Sequence, residues 1–155
     1  MPAAGPGWEE VADQKTGPGK WVVGDVDGNE IATGDGLANF AAAFDDTKCM
    51  FGAFRCVGVD EQENVTSLRP KVLKVNWVGK KVPMMKKMGA LSGKALYAGM
   101  WNGFGAEFDL SSADEFTGLS FAKKILAAGG AHKPTRYDFG GEDQIPLADC
   151  YNEGD

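Results

Sequence analysis

Hydrophobic positions in this chain change period several times, and each change predicts a new element. Trp8 to Lys15 has room for about two helical turns, ended by Thr16-Gly17-Pro18-Gly19. Lys20 to Val26 then reads as a strand, and Asp27-Gly28 signals a hairpin into a second strand over Asn29 to Thr33. Asp35 can cap a helix over Gly36 to Phe44, where Leu37, Phe40, Ala41 and Phe44 recur at helical spacing. Met50 to Val59 and Lys71 to Val78 are β-rich, and the polar stretch Asp60 to Pro70 between them is expected to be a loop.

Pro83 suits the first turn of a long helix running to about Trp101. At 100° per residue, Met84, Met85, Met88, Leu91, Ala95 and Leu96 share one side, while Lys86, Lys87, Lys94, Tyr97 and Trp101 share the other. The expectation is a methionine-lined core face and an exposed face of lysines and aromatics. Trp21 and Trp77, in strands, are also expected in the core. Ala106 to Leu110 is a short strand, and Ser111 or Ser112 can cap a last helix that stops at Gly129-Gly130. The order α-ββ-α-ββ-α-β-α predicts an α/β (α+β) fold, with a central mixed sheet of five to six strands sandwiched by helices. Residues 1–7 are expected to be a flexible lead, 8–133 the folded domain, and 134–155 an acidic, largely disordered tail.

Length and composition agree with a single domain: 155 residues, 43% hydrophobic and 25% charged. No apolar run approaches the roughly 20 residues of a membrane span, and the first residues lack the basic start and apolar centre of a signal peptide. Cys49, Cys56 and Cys150 show no C-x-x-C spacing, which suits reduced thiols in the cytoplasm. On this reading the Asn64-Val65-Thr66 sequon carries no glycan.

Charge changes the picture more. The net charge is −6, yet Asn64 to Ala106 holds eight basic residues and no acidic one. That zone predicts an anionic partner. Nucleic acid is not expected, because no RNA-reading motif is present and acidic segments flank the zone on both sides.

Catalytic, metal and cofactor chemistry finds no footing. His132 is the only histidine and is expected in solvent past the last helix. Asp25, Asp27 and Glu30 begin a calcium-loop pattern without completing it. Gly99 to Gly105 has part of a phosphate-loop spacing but lacks Gly-Lys-Ser/Thr. A binding protein without enzymatic activity is therefore expected.

Four motifs then carry a resemblance: Lys20-Trp21-Val22-Val23 with Asp27-Gly28; Phe51-Gly52-Ala53-Phe54-Arg55; Lys71-Val72 through Asn76-Trp77-Val78-Gly79; and Lys124-Ile125-Leu126-Ala127-Ala128-Gly129-Gly130-Ala131. In this order and spacing the chain resembles the actin-depolymerising-factor homology (ADF/cofilin) family over about Trp8 to Tyr137, and within it the coactosin branch. The resemblance implies a cytoplasmic, cytoskeleton-associated monomer that binds actin filaments along their sides, without strong severing or monomer sequestration. It also implies competition from phosphoinositides. Carried over residue by residue, it marks Lys71, Lys86, Lys87, Lys94, Lys123 and Lys124 as actin-binding. Tyr97 and Trp101, which the projection places on the same helix face as the lysines, are expected to join them as aromatic anchors, with the alternative for Trp101 that it tucks under the following strand. The alternative reading is a module for anionic ligands, phosphoinositide or nucleic acid, using the same basic patch. Three features depart from the family pattern: a short first helix, the lack of a regulatory N-terminal serine, and Leu126-Ala127 where coactosins tend to carry lysine. The six acids of the tail are candidates for folding back over the basic patch.

Overall fold

Two long strands, β3 (Cys49–Glu61) and β4 (Thr66–Val78), form the spine of the fold. Every residue from Cys49 to Val59 is buried, as in a central strand covered on both faces. The computed structural model describes residues 4–103, 105–128 and 133–151. Strand β1 (Lys20–Gly24) pairs with β3, and β2 (Glu30–Asp35) pairs with β1, all antiparallel. Strand β5 (Ala106–Leu110) lies parallel to β4, so the chain between them crosses over the sheet and carries helix α3 (Met88–Met100). The main path runs β2-β1-β3-β4-β5. Helix α1 (Pro6–Ala12) packs with α3 on one face, while α2 (Leu37–Ala42) and α4 (Gly118–Ala128) cover the other.

The expected mixed sheet between helices is thus present, with differences in detail. The predicted loop Asp60–Pro70 shrinks to a turn at 62–65, because the two strands stay paired out to Glu61↔Thr66. Ser112 and Glu115 form a capping box on a 3₁₀ turn at 113–115, and α4 starts later, at Gly118. The predicted stop at Gly129-Gly130 and His132 lie outside the described residues.

The reading of residues 134–155 as largely disordered fails for 134–151. Strand β6 (Arg136–Asp138) extends the sheet on β3 beyond the end of β1, and β7 (Gln144–Pro146) pairs with β6. Tyr137 and Phe139, two residues apart, bury their rings in the α4-side core, and Ile145, Leu147 and Cys150 pack against that core. Acidic composition concealed this period-2 aromatic pair; the burial of two large rings offsets the ordering of a polar segment.

The start of the chain departs as well. Helix α1 begins at Pro6, inside the expected lead, and Glu30 of β2 accepts hydrogen bonds from the Gly7 and Trp8 amides, both at 2.8 Å. A carboxylate thereby satisfies two orphan donors at a helix N-terminus that has no capping side chain of its own. At the other end, buried Arg55 donates through Nε to the Val11 carbonyl (2.9 Å) and through Nη2 to the Asp13 carbonyl (2.7 Å). Burial lowers the pKa of this guanidinium, and the charge of Asp13 opposes the shift.

Candidate functional site

Helix α3 reaches the sheet through a stripe of Gly93, Tyr97 and Met100, continued by Trp101. A Cβ on Gly93 would lie 2.5 Å from the Phe51 ring, so glycine sets how closely the helix approaches. Trp101 stacks on Trp8 with ring centroids 5.4 Å apart and planes 8° apart. Tyr97 stacks on Phe51 at 4.7 Å, and its hydroxyl donates to the Asp25 carbonyl at 2.7 Å. Burial, with smaller contributions from the Asp25, Glu30 and Asp27 charges, pushes the Tyr97 phenol well above its ordinary pKa.

Tyr97 and Trp101 are therefore not surface anchors. Their relative exposures are 0% and 1%, and they form the α1–α3 core with Trp8, Val11, Val22 and Phe51. The expected core face is the exposed one: Met84, Met85, Met88 and Leu91 are 80%, 88%, 75% and 74% exposed. Projection thus misplaced the aromatics and the methionines. It also grouped Lys86 and Lys87 with Tyr97 and Trp101, although both lysines are exposed beside the methionines, because Met84–Lys86 is a 3₁₀ turn in which a 100° step does not hold. Tyr and Trp bury up to about 250 Å² each, more than an unbranched thioether, so they take the interior when the two sets compete.

The exposed side begins with a 3₁₀ turn, Met84–Lys86, and α3 continues from it with Lys87 at its N-cap. That helix start has no side-chain cap and no acid in its first turn. Lys86 and Lys87 thus place two cations at the positive end of a helix, where a carboxylate would be favoured by about 0.3–1 kcal/mol. Nothing within the fold compensates for them among the described residues. Four of the largest exposed apolar side chains surround these lysines. Beside them an open groove of about 640 Å³ runs toward β2, lined by Val26, Ile31, Met50, Val82 and Met85 with Lys48 and Lys86 among its polar members. Contiguous exposed apolar surface rimmed by charge is the mark of a protein-docking site.

The other candidate residues sit elsewhere. Lys94 is half-buried and pairs with Asp109 Oδ1 at 3.5 Å. It borders a polar seam under α3, where Asn76 Nδ2 donates to Glu107 Oε2 (2.6 Å) and Asp109 Oδ1 (3.1 Å), and buried Lys74 pairs with Glu107 at 3.5 Å. Burial lowers the Lys74 pKa, opposed by Glu107. Lys71 stands within β4 opposite Cys56, not at the strand's start. It shares the alternation of Leu73, Val75 and Trp77, which face α4, whereas Val72 faces α3. Seven strand positions separate Lys71 from Val78, about 23 Å at the usual rise. Lys124 lies exposed on α4 with Nζ 4.8 Å from the Phe108 ring centroid. Lys123, half-buried on the same helix, is close enough to Cys150 for its charge to lower that thiol's pKa against the larger upward push of burial. The candidates thus divide into an α3 pole (Lys86, Lys87), a paired lysine midway along the helix (Lys94), a group on the α4 side (Lys71, Lys123, Lys124) and two core aromatics.

Met84, Met85, Met88, Leu91 and Ile31 are the exposed groups that sequence reasoning missed. The stripe Gly93-Tyr97-Met100, at i, i+4, i+7, could have revealed them, since a small residue between aromatics signals close packing. The described part of the acidic tail packs on α4 and the distal part of β3, where Cys150 lies near Lys123, and it forms no ion pair with Lys86 or Lys87. Among the described residues, no three His, Cys, Asp or Glu side chains converge as a metal site requires. Also among them, no helix is long and apolar enough to cross a membrane.

The sequence profile of the cofilin/tropomyosin-type actin-binding proteins matches residues 5–126. The chain belongs to this actin-binding family. In fold it is similar to coactosin from Entamoeba histolytica (24% identity, TM-score 0.66, covering 81% of this chain and 93% of that one). It is likewise similar to human coactosin-like protein (23%, TM-score 0.67, 81% and 85%). A third neighbour is mouse coactosin, described as an actin filament binding protein (22%, TM-score 0.62, 80% and 86%). No sequence among the curated proteins matches the chain. The mixed sheet, the crossover helix and the flanking helices are shared architecture; the matched profile ends before β6 and β7.

Proposed function

We propose that this chain is a non-enzymatic binder of actin-filament sides that docks through the exposed turn and first half of α3. The observation that carries the reading is the cluster of Met84, Met85, Met88 and Leu91 around Lys86 and Lys87 at an uncompensated helix start. The thioethers and Leu91 supply adaptable apolar contact, and the lysines steer encounter with an acidic surface. Lys71, Lys123 and Lys124, on the other side of the sheet, provide a separate contact region. A filament offers adjacent subunits to two such regions at once, whereas a lone monomer does not. This supports decoration of filaments over monomer sequestration or strong severing, as does the likeness to a coactosin described as filament-binding. The setting is the cytoplasmic cytoskeleton, and phosphoinositide headgroups compete for Lys86 and Lys87.

Co-sedimentation with filaments tests the reading. The chain should pellet at low salt and less at high salt, with little depletion of actin from the pellet and weak capture of monomer. Failure to pellet at low salt overturns it. Equal binding by a variant with aspartate at Met85 and Met88 moves the site away from α3.

A further inference from the structure

Three of the six methionines stand together in solvent, and this has a chemical consequence. Met84, Met85 and Met88 are at least 75% exposed, whereas Met50 and Met100 are 3% and 8% exposed. The thiols are poorly placed to react first. Cys56 is fully buried and Cys49 is buried, with its Sγ directed at the Lys86 carbonyl. Burial pushes the Cys56 thiol up to about 12 and raises those of Cys49 and Cys150, so at neutral pH all three hold the proton that nucleophilic attack requires them to lose. Thioethers carry no such proton, and their reactivity follows exposure. The exposed thioethers of the described chain are thus concentrated on one patch, and Cys150, half-buried on the α4 side, is the one partly accessible thiol among the described residues.

We propose that Met84, Met85 and Met88 form a reversible oxidation site for peroxide-class oxidants, and that sulfoxide formation there releases the docked partner. The proposal rests on the actin-docking reading for its consequence, though not for its chemistry. The thioether sulfur attacks one peroxide oxygen, the O–O bond breaks, an S–O bond forms, and the other oxygen leaves as water after proton transfer. Sulfur loses two electrons and hydrogen peroxide gains them. The product is a polar sulfoxide in the middle of an apolar contact, hydrated in the free protein and stripped of water on docking. Reductases for the two sulfoxide epimers reverse the change. Lys86 and Lys87 stay charged, so encounter persists while the short-range contact is lost.

The full chain is treated with hydrogen peroxide, the excess is destroyed with catalase, and oxygen uptake is mapped by peptide mass spectrometry before any actin is added. Met84, Met85 and Met88 should gain one oxygen each well before Met50 or Met100. Filament affinity should then fall about tenfold or more, and the two reductases together should restore it. A variant with leucine at all three positions sets its own baseline; its treated-to-untreated affinity ratio should stay near one. Retention on a hydrophobic column should fall on oxidation, a readout independent of actin. If untreated protein never pellets, the docking reading fails alone, and mapping with column retention still decides the oxidation site. Oxidation of buried methionines or thiols at the same rate overturns the proposal, as does full sulfoxidation of the three with unchanged pelleting and retention.

Discussion

The segment 84–101 has two halves that are both rich in large apolar side chains and meet opposite fates. The second half, Gly93 to Trp101, spends its side chains on the fold: Tyr97 lies against Phe51, Trp101 on Trp8, and Met100 beside them. The first half, Met84 to Leu91, keeps its apolar side chains in water and carries two lysines at a helix end that repels them. The same helix thus contains a stretch where every local rule agrees with the fold and one where several are broken. Broken local rules without an internal compensation point to a partner.

Substitutions in the two halves should therefore fail different assays. The largest effect is expected for Trp101→Ala, which removes one side of the Trp8 stack and opens a cavity between α1 and α3. Stability should fall by about 3–5 kcal/mol, measured by denaturant unfolding. Filament affinity per folded molecule should change little. A loss below about 1 kcal/mol would mean that α3 is not anchored here. The second effect lies in the other half. Aspartate at Met84, Met85 and Met88 together should leave the unfolding midpoint within the range of ordinary surface changes, about 0.5 kcal/mol per site. Filament affinity should drop by about 30-fold, as for the loss of a hot spot worth roughly 2 kcal/mol. Parallel losses in both assays would erase the distinction between the halves.

How much of this was legible in the sequence depends on the kind of signal. Local signals were reliable: Asp27-Gly28 marked the first hairpin, where Gly28 adopts φ +92° and Asp25 Oδ1 accepts from the Asp27 and Asn29 amides. Alternation placed β1, the start of β3 and β5, and Trp21 and Trp77 are core as expected. The partition of α3 was legible only in part: Tyr97 and Trp101 do lie opposite Met88 and Leu91, but Lys86 and Lys87 are exposed with the methionines, and which side faces inward was not legible. Periodicity contains an angle and no origin; the origin comes from the sheet, where Phe51 leaves room only for Gly93. Charge counting misled for a related reason. Lys74 and Lys94 belong to the acid-free stretch by sequence, yet Glu107 and Asp109 reach them from β5, a strand away in space. The folding of residues 134–151 depends on pairing with β3, a long-range contact that their acidic composition gives no hint of.

A smaller effect concerns the hydroxyl of Tyr97. Tyr97→Phe removes its bond to the Asp25 carbonyl and should cost about 0.5–1.5 kcal/mol. It should also change the alkaline limit of stability. The folded-state pKa of this phenol lies above the ordinary value of 10.0, because burial disfavours the charged form. Its contribution is therefore fully present below pH 10 and is lost as pH rises from there through the raised folded value. Unfolding measured from pH 9 upward should show a shallower alkaline decline in the phenylalanine variant. Some decline should remain, since Tyr137, raised to about 12 chiefly by burial, titrates in the same sense. Substitutions at Met84 to Met88 should leave this profile unchanged.

The smallest expected effect separates the two halves most cleanly, because its two readouts move in opposite directions. Replacing Lys86 and Lys87 with alanine removes two cations from the N-terminal end of α3, where the helix dipole opposes them. Both side chains are exposed, so neither leaves a buried partner behind. Thermal stability should rise slightly, by up to about 1 kcal/mol in favourable geometry. Filament affinity at low salt should fall a few-fold, mainly through slower association, and its salt dependence should flatten. Stopped-flow association at two ionic strengths, set beside a melting curve, measures both. A fall in stability would mark these lysines as structural. A rise in stability with a loss of binding would show that the helix start is kept suboptimal for its partner.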